Sequence, residues 1–136
     1  MDTRITASAI DAICRIPDDY YGWSRPSSNR SWRALLDASH YVELRPQLTA
    51  AQLAEHLRAD PSLVEQWERY SEDKRTSGGW SFVRFPGGWA LGRLKSDGAG
   101  AEERLTQADD AEACAEYILL ELDWLAAIRT RKPSGP

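Results

Sequence analysis

Residues 67–82, WERYSEDKRTSGGWSF, decide how the whole chain is to be read. Four consecutive charges and a glycine pair lie between two tryptophans. Upstream, Leu63, Val64, Trp67 and Tyr70 or Ser71 fall at i, i+1, i+4 and i+7, the spacing of one helical stripe. Downstream the period is two: Trp80, Phe82 and Arg84 alternate with Ser81, Val83 and Phe85. The chain therefore passes from helix to strand inside this segment. The charge run is first of all a helix C-terminus. Lys74 and Arg75 occupy the last turn, where a cation gains about 0.3–1 kcal/mol from the helix dipole. Gly78 or Gly79 supplies the left-handed residue that closes a helix. Glu72 and Asp73 remain as a polar surface where helix meets hairpin.

C-terminal to this junction, Pro86-Gly87-Gly88 is a turn and Trp89 to Leu94 a second apolar strand, which makes a hairpin. Ser96 to Gly100 is a looser turn, and Glu102 to Gln107 reads as a third, edge strand. Connections this short imply an antiparallel meander. A long helix from about Asp109 to Ile128 follows. At 100° per residue, Ala111, Ala115, Ile118, Leu122 and Leu125 fall on one side, and Ala113, Tyr117, Leu120, Trp124 and Ile128 nearly opposite. A helix with two apolar sides is expected to be sandwiched. Glu112, Glu116 and Asp123 share a narrow stripe between those sides. Residues 129–136, RTRKPSGP, read as a flexible tail.

N-terminal to the junction, Asp60-Pro61 is a helix restart signal. Thr49 and Gln52 form a capping box for a helix to about Ala59, with Leu53 and Leu57 inward. Residues 6–15 predict a short helix capped by Thr6 or Ser8 and ended by Pro17. Residues 17–30 predict an ordered loop, and Ser31 to His40 a helix with Trp32, Leu35 and Leu36 inward. Pro46 predicts an extended segment over 41–46. The expected fold class is α+β: a small antiparallel three-stranded meander packed against several helices, with a long C-terminal helix, in one domain over 1–136.

Composition narrows the function. With 136 residues, 42% of them hydrophobic, one core can form without a metal or disulfides. The net charge of −4 and the scattered arginines lack the concentrated basic surface that phosphate binding needs, so direct nucleic-acid binding is not expected. No run of eighteen apolar residues exists, so no membrane span is expected. MDTRITASAIDAICR lacks the apolar core of a signal peptide, and Cys14 and Cys114 read as reduced core thiols; both point to a cytoplasmic protein. A single disulfide between them is formally open.

The search for chemistry predicts no catalytic residue, no cofactor and no metal. His40 and His56 have no Cys or His at ligand spacing. Gly78-Gly79, Gly87-Gly88 and Gly98-Ala-Gly100 are turn glycines without a phosphate-loop pattern. Asp18-Asp19 and Glu72-Asp73 are adjacent acids whose side chains point apart, a poor arrangement for acid–base work. The chain is therefore expected not to be an enzyme.

The aromatic residues say more, with six Trp and five Tyr. Trp67, Trp80, Trp89 and Trp124 fall at inward positions. Tyr20, Tyr21 and Trp23 stand beside Asp18 and Asp19. Either they fold onto the domain's own core, or they form a protein-binding hot spot with an acidic rim. Candidate partner-binding groups are thus Asp18, Asp19, Tyr20, Tyr21 and Trp23; Glu72 and Asp73; and Glu112, Glu116 and Asp123.

The segment Trp67-x-x-Tyr70-Ser-Glu-Asp-Lys-Arg-Thr-x-x-Gly79-Trp80-x-Phe82 is similar to a pattern of small bacterial immunity proteins. These are the cognate antitoxins of contact-dependent growth inhibition and other polymorphic toxin systems. Ala113-Cys114-Ala-Glu-Tyr-Ile118, leading into Glu121-Leu122-Asp123, resembles the same group's closing helix. The resemblance spans roughly residues 60–125, and the first sixty residues match nothing. It implies a non-enzymatic protein that binds one toxin domain, often a nuclease, and blocks it. It carries over no catalytic residues. The rival readings are a small enzyme or ligand-binding domain with a pocket between sheet and helices, and an oligomerisation scaffold. The sequence leaves the oligomeric state open.

Overall fold

The computed structural model describes residues 6–22, 31–74, 79–94, 101–106 and 109–130. The class is α+β: among the described residues, several helices precede a small antiparallel sheet and a long helix follows it. α1 (Ala7–Cys14) starts where Thr6, in extended conformation, accepts a hydrogen bond from the Ala9 amide at 3.1 Å. Its Ile13 and Cys14 are buried.

Pro17 does not end the helical region. After one non-helical residue, Arg15, the chain forms α2 (Ile16–Tyr21), with Pro17 in its first turn. There the missing amide costs nothing, because first-turn amides have no partner within the helix. Gly22 closes α2 at a left-handed φ of 72° and donates to the Asp18 carbonyl at 2.8 Å. Asp18, Asp19, Tyr20 and Tyr21 therefore stand on a helix and not in a loop. Trp23 lies outside the described residues.

α3 (Trp32–Ala38) is capped by Ser31, whose hydroxyl accepts from the Ala34 amide at 3.2 Å. The expected extended segment over 41–46 is also helical. His40 takes a left-handed φ of 57°, and α4 (Tyr41–Leu44) then runs into a 3-10 turn, Arg45–Gln47. A proline disfavours helix in the residue before it, but tertiary contacts override that preference here. Tyr41 and Leu44 are buried one turn apart, and Arg45 is held by Asp123 of the long C-terminal helix.

α5 (Ala50–Ala59) carries the full capping box. Thr49 Oγ1 accepts from the Gln52 amide at 3.2 Å, and Gln52 Oε1 accepts from the Thr49 amide at 2.8 Å. Replacing Thr49 with alanine is expected to lower stability by about 1 kcal/mol. Urea unfolding should show this as a lower midpoint at unchanged slope; an unchanged midpoint would mean that tertiary packing alone sets where α5 begins.

α6 (Ser62–Lys74) buries Leu63, Val64, Trp67, Tyr70 and Ser71, the stripe that the spacing predicts. α6 is described as far as Lys74, and Arg75 lies outside the described residues. Gly79 opens a strand, and Gly78 is outside the described residues. β1 (Gly79–Phe85) and β2 (Gly88–Leu94) pair antiparallel through the two-residue turn Pro86-Gly87. Gly88 pairs with Phe85, so it belongs to β2 and not to the turn. Gly87 needs its glycine freedom, with φ at +99°. β3 (Ala101–Thr106) pairs antiparallel with β2, giving the order β1-β2-β3.

α7 (Asp110–Thr130) packs on α5 and on β1. Asp109 caps it by accepting from the Glu112 amide at 2.8 Å. Burial of Ala111, Cys114, Ala115, Ile118 and Leu122 together with Ala113 and Tyr117 matches a sandwiched helix. Among the described residues no helix is long and apolar enough to cross a membrane.

Candidate partner-binding surface

Side-chain chemistry gives little sign of a reactive centre. Among the described residues no group of three His, Cys, Asp or Glu is placed to hold a metal ion. Both thiols are buried and reduced. Burial pushes the Cys14 thiol up to about 12 and the Cys114 thiol well above its ordinary value, so neither forms a thiolate at neutral pH. His56 Nε2 lies 2.8 Å from Asp11 Oδ1, and Arg15 Nε donates to the same carboxylate at 2.9 Å. Partial burial works to raise the Asp11 carboxyl, but the His56 ring and the Arg15 guanidinium hold it below its usual value. Through a 3.4 Å contact of Arg15 with Asp60, the cluster ties α1, α5 and the start of α6 together. Its geometry is that of a structural clasp.

Two of the three candidate places meet. Tyr21 on α2 donates its hydroxyl to Asp73 Oδ2 near the end of α6 at 2.6 Å. Burial and the Asp73 carboxylate together push the Tyr21 phenol well up. Glu72 and Asp73 are exposed, Asp19, Tyr20 and Tyr21 are half-buried, and Asp18 is 3% exposed, so Asp18 is the one of these that faces inward. Behind this face the rings form a continuous path. Tyr21 meets Tyr20 edge-on at 4.9 Å, Tyr20 meets Trp32 at 5.0 Å, and Trp32 meets Tyr70 at 4.8 Å. Tyr70 then reaches the core through Trp67. The inner rings of this cluster complete the core, and Tyr20 and Tyr21 pack half-buried against it.

The acidic stripe of α7 does not act as one surface. Glu112 accepts from Arg58 Nη2 at 2.8 Å, and Arg58 also holds Asp109 at 2.9 Å. At the other end, Asp123 accepts from the Tyr41 hydroxyl at 2.7 Å and from Arg45 Nε at 2.9 Å. Glu116 lies between them, half-buried. Two arginines from different elements thus divide the stripe. Each end borders an open groove. One, of about 640 Å³, lies between α4 and α7 and is lined by Tyr41, Val42, Arg45, Pro46, Asp123 and Ala126 among others. The second, of about 460 Å³, lies between α5, the start of α6 and the start of α7.

No family model, curated protein or solved structure matches this chain. Its geometry has to carry the functional reading.

One polar group escapes the sequence patterning. Glu121 on α7 is fully buried. Its Oε1 accepts from the Trp80 amide at 2.8 Å, and its Oε2 accepts from the Tyr70 hydroxyl. Tyr117 donates to the Trp80 carbonyl at 3.2 Å, and Ser71 Oγ accepts from the Phe82 amide at 2.7 Å. Backbone groups on the side of β1 away from β2 are thus satisfied by side chains of α6 and α7. Burial, reinforced by the charge of Glu121, pushes the Tyr70 phenol far up and keeps it protonated as a donor. The sequence signal existed: Glu121 follows Tyr117 and Ile118 by four and three residues, beside an apolar face. Patterning by exposed acids passes over an acid placed there.

Proposed function

We propose that this chain is an immunity protein: a cytoplasmic, non-enzymatic antitoxin that binds and neutralises a cognate bacterial toxin domain. The observation that carries the reading is the Tyr21–Asp73 hydrogen bond, which joins the α2 aromatics and the end of α6 into one acidic and aromatic face. Tyrosine anchors with polar neighbours are typical of interface hot spots. Exposed carboxylates suit a partner with a basic, phosphate-binding surface such as a nuclease, because complementary charge speeds encounter. The net charge of −4 is mild, so the aromatic contacts are assigned the larger share of affinity and the acids the orientation.

The test is co-expression with the product of the neighbouring upstream reading frame, followed by gel filtration at moderate salt and a cell-rescue assay. A one-to-one complex that also rescues growth is the expected result. In that complex, Glu72→Lys, at an exposed position, should slow association and raise Kd by about 10-fold while leaving the thermal midpoint of the free protein within a few degrees. Absence of both complex and rescue would overturn the proposal and direct attention to small-molecule ligands of the grooves.

A further inference from the structure

We infer that the groove between α5, the start of α6 and the start of α7 receives a lysine or arginine side chain of the toxin; this inference rests on the function proposed above. Its floor is apolar: Leu57, Val64 and Ala111 are buried there, with Pro61 as an exposed wall. Its rim carries Asp109, Asp110 and Arg58. Asp110 is held ready, because its Oδ1 accepts from the Trp89 indole at 2.9 Å. Among the described residues its Oδ2 has no hydrogen-bond partner; it forms an ion pair with Arg84 at 3.7 Å, too long for a hydrogen bond. A carboxylate oriented by a buried indole therefore presents one oxygen over an apolar slot.

That combination fits an amphipathic cation. The methylene stem of lysine or arginine covers apolar surface while its charged end seeks a carboxylate at the rim. A neutral apolar side chain would offer Asp110 Oδ2 no hydrogen bond, and an anion would meet Asp109 and Asp110 together. The local balance agrees. Among the described residues the lining holds two acids, Asp109 and Asp110, and one cation, Arg58, which leaves −1. Arg58 already neutralises Asp109 and Glu112, which makes it a resident competitor for the incoming cation. The groove lies at the opposite end of α6 from Tyr21 and Asp73. Thirteen residues separate the ends by about 20 Å, within reach of one protein interface.

Two substitutions with opposite expected signs test this in the complex with the upstream reading-frame product. Asp110→Asn preserves an acceptor for Trp89 but removes the charge, and should weaken binding by about 10-fold. Arg58→Ala removes the competitor and should tighten binding by a few-fold, with a small effect on the free protein because all three groups of that ion pair are half-exposed. A merely structural role for this cluster would weaken binding, or leave it unchanged, in both variants. If the wild-type complex forms and both variants bind as wild type does, or both bind more weakly, the groove assignment is wrong while the immunity reading stands. If wild type forms no complex, both fall.

Discussion

Glu121→Ala should be among the most damaging single substitutions in this protein, lowering stability by about 3–5 kcal/mol. The carboxylate is fully buried and serves two donors, the Trp80 amide and the Tyr70 hydroxyl. Truncation takes this acceptor from both, at about 1–3 kcal/mol each, and opens a space in the core. Relief of burying a charge offsets part of this, so the sum lies below the simple total. Against a whole-domain stability of about 5–15 kcal/mol, the loss is large. Glu121→Gln keeps one carbonyl oxygen for the Trp80 amide and lets its amide donate to the Tyr70 oxygen, so it should cost much less. Urea unfolding of the three proteins distinguishes the cases. If the alanine variant unfolds at the wild-type midpoint, Glu121 is not what secures β1 against α6 and α7.

Trp67→Ala comes next, with an expected loss of about 3–5 kcal/mol. Trp67 is fully buried, meets the rings of Tyr70 and Tyr117 edge-on at 5.8 and 6.0 Å, and donates its indole N–H to the Cys14 carbonyl at 2.9 Å. One side chain therefore binds α1, α6 and α7 into one core. Phenylalanine at this position retains part of the ring contact but leaves the Cys14 carbonyl without its donor, and should fall between the two. The readout is the denaturation midpoint together with near-ultraviolet circular dichroism, which reports the packing of these rings. Because Trp67 touches Tyr70, the Trp67→Ala/Glu121→Ala pair should be non-additive by 0.5 kcal/mol or more. Additive losses would show that the aromatic core and the β1 contact respond independently.

Both substitutions act on features of different legibility. Trp67 could be placed inward from spacing alone, since Leu63, Val64, Trp67, Tyr70 and Ser71 follow one helical stripe and all are buried. The capping box at Thr49, the two-sided character of α7 and the change of period at Trp80 are legible for the same reason. Each is a local pattern whose meaning does not depend on what lies across the core. Tyr21 and Asp73 are each candidates by residue type, but nothing in the chain says that they touch across 52 positions.

Where the local signals mislead, the cause is contact between distant segments. Pro17 carries no mark of whether it ends one helix or begins another; α2 forms because Ile16, Pro17 and Asp18 can be buried by what packs over them. Pro46 argues for extended backbone, yet Arg45 and Tyr41 are drawn into helix by Asp123, 78 and 82 residues away. Glu112 and Asp123 lie on one stripe by angle, but Arg58 and Arg45 tie them to different elements. Glu121 is buried because β1 and α6 close over it. Periodicity, caps and turns follow from backbone geometry and are written residue by residue; the fate of each charged side chain depends on partners that only the folded chain brings within a few ångströms.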